Sequence, residues 1–98
     1  MCRKAHGAPF AVFAIYPVSA VEIEGAHAVW QSSPAYQRCF CPACGSRVFG
    51  LEGGEIELLT GAFDEVGVFA PQYEAWSSRR EPWLPDLGIP QHARGRFD

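Results

Sequence analysis

Three of the four cysteines stand together in Arg38-Cys39-Phe40-Cys41-Pro42-Ala43-Cys44-Gly45-Ser46. Two thiols three residues apart across a Pro-containing turn can grip one ion, because the turn points both sulfurs inward. Gly45 suits the close backbone approach, and the possible positive φ, just after the second thiol. The spacing marks Cys41 and Cys44 as half of a zinc site, and a structural zinc takes four ligands. The competing chemistry is a redox Cys-Pro-x-Cys, which needs its first cysteine at a helix N-terminus in a βαβ unit. Gly-Ser-Arg-Val-Phe-Gly follows instead and looks like turn and strand, so the redox reading loses. Cys39 stands two before Cys41; in a strand it shares that face, as a third ligand or as a thiol packed under the sheet. Cys2 lies beside Arg3 and Lys4, two cations that favour its thiolate, although terminal residues are usually frayed and inert.

The other polar groups are less specific. His6, His27 and His92 have no spacing that suggests a triad or a metal-binding helix. Asp64 and Glu65 are adjacent and diverge as a solvated turn. Arg79 and Arg80 with Trp76 and Trp83 could hold a carboxylate-bearing ligand. The alternative, slightly favoured, has the tryptophans pinning the C-terminal tail while the arginines stay in water.

The elements that must position these groups are short. With 98 residues the chain makes one domain at most. Ten glycines and eight prolines punctuate it often enough to favour strands over long helices. Gly7 and Pro9 stop any helix in the polar stretch from Met1. Phe10 to Tyr16 suits a buried strand, and Val21-Glu22-Ile23-Glu24 alternates as a half-buried one. Ala28 to Gln31 and Tyr36 to Cys41 follow, with Tyr36, Arg38 and Phe40 on one face and Gln37, Cys39 and Cys41 on the other. Arg47 to Leu51 and Glu55 to Leu59 are joined by a Gly53-Gly54 hairpin turn. Ala62 to Glu65 suggests a helical turn and Tyr73 to Trp76 a last strand. The tail from about residue 82 to 98, with Pro82, Pro85 and Pro90, reads as an extended wrap. The fold class is mainly β.

Net charge is −3, with no basic field, so nucleic acid is not expected as a partner. No apolar run approaches a membrane span and no signal-peptide pattern opens the chain, so no membrane partner and a cytoplasmic location are expected. Without an export signal, thiols or metal are expected rather than disulfides.

Several motifs together resemble one family. They are Cys-Arg-Lys-x-x-Gly-x-Pro-Phe at Cys2 to Phe10 and Ser-Ser-Pro-x-x-x-Arg-x-Phe-Cys-Pro-x-Cys-Gly-Ser at Ser32 to Ser46. Gly-x-Phe-Asp at Gly61 to Asp64, then Pro-x-Tyr-x-x-Trp and Arg-x-Pro-Trp-Leu between Pro71 and Leu84, complete the set. The chain resembles the glutathione-dependent formaldehyde-activating enzymes, a family that includes centromere protein V-like proteins. The resemblance implies a single domain over 1–98, a small zinc-binding β-tent of stacked antiparallel sheets with short helical turns. It implies a structural zinc held by an N-terminal Cys-x-Cys with the pair that here is Cys41 and Cys44. A second, catalytic zinc would be held by a Cys-x-Cys-x-x-Cys whose last member matches Cys2.

The remaining ligands of that pattern would fall upstream of Met1, so the expectation is of a domain incomplete at its N-terminus. Alternatively Cys2, Cys39, Cys41 and Cys44 converge on one ion. An absent first strand would leave a sheet edge open, which predicts a homodimer. Glu74 stands where many relatives would have His, as if it marked a subgroup with a different ligand. The implied activity is zinc-dependent carbon–sulfur bond formation or cleavage, joining glutathione to formaldehyde or handling a related thiol adduct. Cys2 would be the catalytic ligand, with Arg3, Lys4, Trp76 and Arg79 binding the small-molecule thiol. The alternative is a zinc-stabilised binding module or glutathione carrier without catalysis.

Overall fold

A computed structural model describes residues 1–97. The chain forms two compact units: Ala11–Val66, and Met1–Phe10 together with the chain from Gly67 onward. The first unit carries five strands: β1 (Phe13–Pro17), β2 (Ala28–Gln31), β3 (Tyr36–Phe40), β4 (Arg47–Glu52) and β5 (Glu55–Leu59). All pairings are antiparallel, in the order β1-β5-β4-β3-β2. The mainly β expectation holds, and these strands form one sheet rather than a stack of small ones.

The register explains which residues meet. Cys39 pairs with Phe49 and Phe49 with Leu58, while Leu51 pairs with Ile56 and Ile56 with Tyr16. Cross-strand partners share a face, so these side chains gather on one side of the sheet. Cys39, Phe49 and Ile56 form the buried cluster, with Tyr16, Val21, Leu51 and Leu58 packed against it. Cys39 and Ile56 are fully shielded from solvent, and burying an isoleucine side chain contributes about 1.5–3 kcal/mol. His27 meets Phe49 edge-on, with ring centroids 5.2 Å apart.

The opposite face follows from one irregularity. Between Cys39 and Phe40 the register slips: Cys39 pairs with Phe49, but Phe40 pairs with Arg47. Val48 is therefore an extra residue in β4. A bulge of this kind changes which way the following side chain points. Simple alternation would put Arg47 on the side of Phe49, in the core; the bulge moves it to the side of Tyr36 and Arg38.

Several boundaries differ from the sequence reading. β1 begins at Phe13, and Phe10 belongs to the other unit. The Val21–Gly25 stretch forms no strand; only Val21 is half-buried, while Glu22, Ile23 and Glu24 are exposed. Its alternation is real, but a strand needs a neighbour's free edge as well as a pattern. The turn expected at Ala62 to Glu65 is a 3-10 turn at Thr60–Ala62. The Gly53-Gly54 hairpin forms, with Gly53 in the left-handed region at φ 58°.

In the other unit, Cys2–His6 makes a single helical turn, α1, closed by Gly7 at φ 60°. Tyr73 to Trp76 is not a strand: Glu74 makes an isolated parallel bridge with Gln91. The tail is folded back rather than simply extended. Glu74 N–H donates to Pro90 O at 2.9 Å, His92 N–H to Glu74 O at 2.8 Å, and Ser77 N–H to His92 O at 3.0 Å.

Candidate functional site

The thiol turn is closed by backbone. Cys41 N–H donates to Ser46 O and Gly45 N–H to Cys41 O, both at 2.8 Å, with Gly45 at φ 78°. A side chain at that φ would be strained, so the glycine permits the return that brings the cysteines together. Cys44 Sγ lies 3.3 Å from Ser46 Oγ. Hydrogen bonds from Ser46, then from Cys41, hold the exposed Cys44 thiol below its ordinary pKa. A pair of adjacent thiols, one already favoured as thiolate, fits two corners of a tetrahedral zinc set. Among the described residues, no group of three or more His, Cys, Asp or Glu side chains could hold a metal ion.

Cys39 differs from that pair in its surroundings. It is fully buried in the core, and desolvation raises its thiol pKa, offset in part by Arg47. Cys2 is exposed on α1 in the other unit.

That other unit holds a cavity of about 790 Å³. Its walls include Arg3, Lys4, Pro9, Arg79, Glu81 and Trp83. Three of the four residues expected to bind substrate (Arg3, Lys4 and Arg79) thus meet in one place. Trp76 does not line it; Trp83 supplies the aromatic wall instead. Arg3 is ion-paired with Glu81, which leaves Lys4 and Arg79 as the cations on the wall without that carboxylate. The volume falls within the range of small-molecule sites.

Arg80 holds the frame of this unit. Its Nε donates to Glu74 Oε2 at 3.2 Å and its Nη1 to Leu84 O at 2.7 Å, while Nη2 reaches Pro85 O. Gln91 Nε2 donates to the same Glu74 oxygen at 3.0 Å. Glu74 is thus engaged in a structural staple, which accounts for a carboxylate at that position. The expected roles of tryptophan and arginine are exchanged: Trp76 and Trp83 are 56% and 67% exposed, and Arg80 does the pinning. Among the described residues, Trp76 is the non-glycine one at positive φ, 59°. Its N–H donates to Arg94 O at 2.6 Å, a bond that helps hold this sparsely populated conformation.

A polar cluster on the outer sheet face was missed by the sequence reading. The Tyr36 ring lies over Gly50, and its hydroxyl donates to Glu57 Oε2 at 2.8 Å. The Arg38 guanidinium stacks on the Tyr36 ring, 5.2 Å from its centroid. Burial, then the Glu57 carboxylate, raises the Tyr36 pKa strongly; Arg47 pulls it the other way. By sequence alone Arg38 is a motif member that alternates with Tyr36 and Phe40. An arginine and a tyrosine at i and i+2 of a predicted strand, opposite a glycine, is the signal that could have found the cluster.

Among the described residues, no helix is long and apolar enough to cross a membrane. No curated protein matches the chain. The family model for the glutathione-dependent formaldehyde-activating enzyme matches residues 1–79, which include α1, the whole sheet and the thiol turn. With four-fifths of its length matched, the chain belongs to the glutathione-dependent formaldehyde-activating enzyme family.

Proposed function

We propose that the protein acts, as a zinc-dependent enzyme, on glutathione and formaldehyde or on a related thiol adduct. The observation that carries this reading is the family match over residues 1–79, which spans both the thiol turn and the Arg3-Lys4 wall of the cavity. In the forming direction the glutathione sulfur adds to the aldehyde carbon. The S–C bond forms, the C=O π bond becomes an alkoxide, and that oxygen takes up the proton the thiol gave up; cleavage is the reverse. Zinc, when bound, supplies a lowered thiol pKa or a polarised carbonyl.

Cys41 and Cys44 would hold the metal. Cys39 and Cys2 are the further thiols proposed for it, and Cys39 would have to leave the core to reach an ion. Lys4 and Arg79 would bind the carboxylates of the tripeptide, with Trp83 against its apolar stem. We read 1–98 as one domain of this family and place it in the cytoplasm. A zinc-stabilised binding module or glutathione carrier without catalysis is the rival in function.

Two measurements on the full chain test the reading. Elemental analysis of protein purified without added zinc should give about one zinc per chain, lost in Cys44→Ser. Exchange NMR with labelled formaldehyde and glutathione should show adduct formation faster than the uncatalysed background, with Lys4→Ala and Arg79→Ala raising the glutathione concentration needed. Zinc and glutathione binding with no acceleration would assign the carrier role. Neither binding nor acceleration would remove both.

A further inference from the structure

The outer sheet face carries a buried cation, Arg38, that has no ion pair among the described residues. Arg38 is 8% exposed. Its Nε and Nη1 are shielded from solvent and have no hydrogen-bond partner. Arginine stays protonated at any working pH, and a charged group is not buried at low cost unless paired. Its neighbours do not pair it. The Tyr36 ring offers a π face, not an acceptor. The Glu57 carboxylate, on the same face, accepts from the Tyr36 hydroxyl. Glu52 lies directly opposite Tyr36, and Glu55 lies one strand further on, opposite Glu52. Among the described residues, Arg38 has no ion pair with any of these.

The charge balance points the same way. The bulge at Val48 adds Arg47 to this face, and Arg47 hydrogen-bonds towards Tyr36. Immediately around Gly50 two guanidinium groups stand against one carboxylate. Gly50 matters too: a Cβ there would fall 2.0 Å from the Tyr36 hydroxyl oxygen. The glycine lets the tyrosine lie flat on the sheet, where it supports the Arg38 guanidinium plane and engages Glu57.

We propose that Arg38, supported by Tyr36 and Arg47, is a recognition site for the carboxylate group of a small molecule. A planar guanidinium with free N–H donors suits a planar carboxylate better than a spherical anion. The site stands on the sheet unit alone and does not depend on zinc or on the cavity of the other unit.

The test follows side-chain Nε–H signals of the full chain by NMR while sodium formate replaces sodium chloride at constant ionic strength. The Arg38 signal, assigned by its loss in Arg38→Gln, should move and saturate with formate, and stay in place with chloride. Thermal stability should rise with formate over chloride in the wild type, and Arg38→Gln should lose that rise. If Arg38→Gln does not fold, Arg38→Lys, which keeps the charge but not the plane, should weaken the response. A shift that never saturates, or that chloride reproduces, overturns the proposal. A signal that follows protein concentration and ignores formate also overturns it, by assigning the partner to a second copy of the chain. Because no metal or glutathione enters the assay, its outcome is separate from that of the proposed reaction.

Discussion

The Tyr36 hydroxyl reaches Oε2 of Glu57 at 2.8 Å by laying its ring across Gly50, so the two residues communicate over a strand that has no side chain. Two bulky residues on β3 and β5 are thereby coupled to the one position on β4 that must stay empty.

Gly50→Ala should therefore destabilise the protein by about 1–3 kcal/mol, read as a lower denaturation midpoint in urea. The added methyl group must displace a ring atom 2.5 Å away as well as the hydroxyl. Combining it with Tyr36→Ala should cost less than the sum of the two single changes, because the clash is gone.

Alkaline stability should carry the mark of the same tyrosine. Burial and Glu57 raise the folded-state pKa of Tyr36 above its ordinary 10.0. Its contribution is thus complete below pH 10 and declines as pH rises further, where the unfolded chain loses the proton more readily. Thermal melts from pH 8 to 11 should fall more steeply above pH 10 in the wild type than in Tyr36→Phe. Parallel curves would refute this assignment.

The cysteines should react in a fixed order. Cys44 is exposed with its pKa lowered, whereas Cys39 is fully buried with its pKa raised. Timed iodoacetamide labelling with mass spectrometry should find Cys44 modified first, at a pH below the ordinary thiol pKa of 9.0. Cys39 should be modified only once denaturant opens the core. Added zinc should slow labelling of Cys41 and Cys44 together.

Arg80 should prove more important to its unit than either exposed tryptophan. Its contacts join Glu74 to Leu84 and Pro85. Arg80→Ala removes charge-assisted bonds worth about 1.5–3 kcal/mol, partly screened because the Arg80 and Glu74 side chains are 20% and 16% exposed. Hydrogen exchange should speed at Glu74, Ser77 and His92, whose backbone N–H groups hold the tail. Trp83→Ala should leave that exchange unchanged.

The sequence made the sheet legible because four of its strands carry short runs bounded by turn residues, and Gly53-Gly54 announced its own hairpin. It made the thiol turn legible for the same reason: ligand spacing and turn chemistry are both local. What could not be read was anything decided by a neighbour. Val21 to Glu24 alternates like a strand but pairs with none, since a pattern does not say whether an edge is available. Trp76 and Trp83 look like anchors by type, yet the hydrogen-bonding reach of Arg80 does that work. Arg47 lies at i−2 from a core phenylalanine, and alternation would bury it beside Cys39 until the slipped register is known.

That slip gives Val48 an unusual status. Its side chain is 38% exposed and its identity matters little, so Val48→Thr should be nearly silent. Deleting the residue would straighten the ladder: Arg47 would directly precede Phe49 and, by alternation, still face the side of Tyr36 and Arg38. The residue the strand carries in excess is thus a position where a codon can be rewritten, and where its loss would leave the direction of Arg47 unchanged.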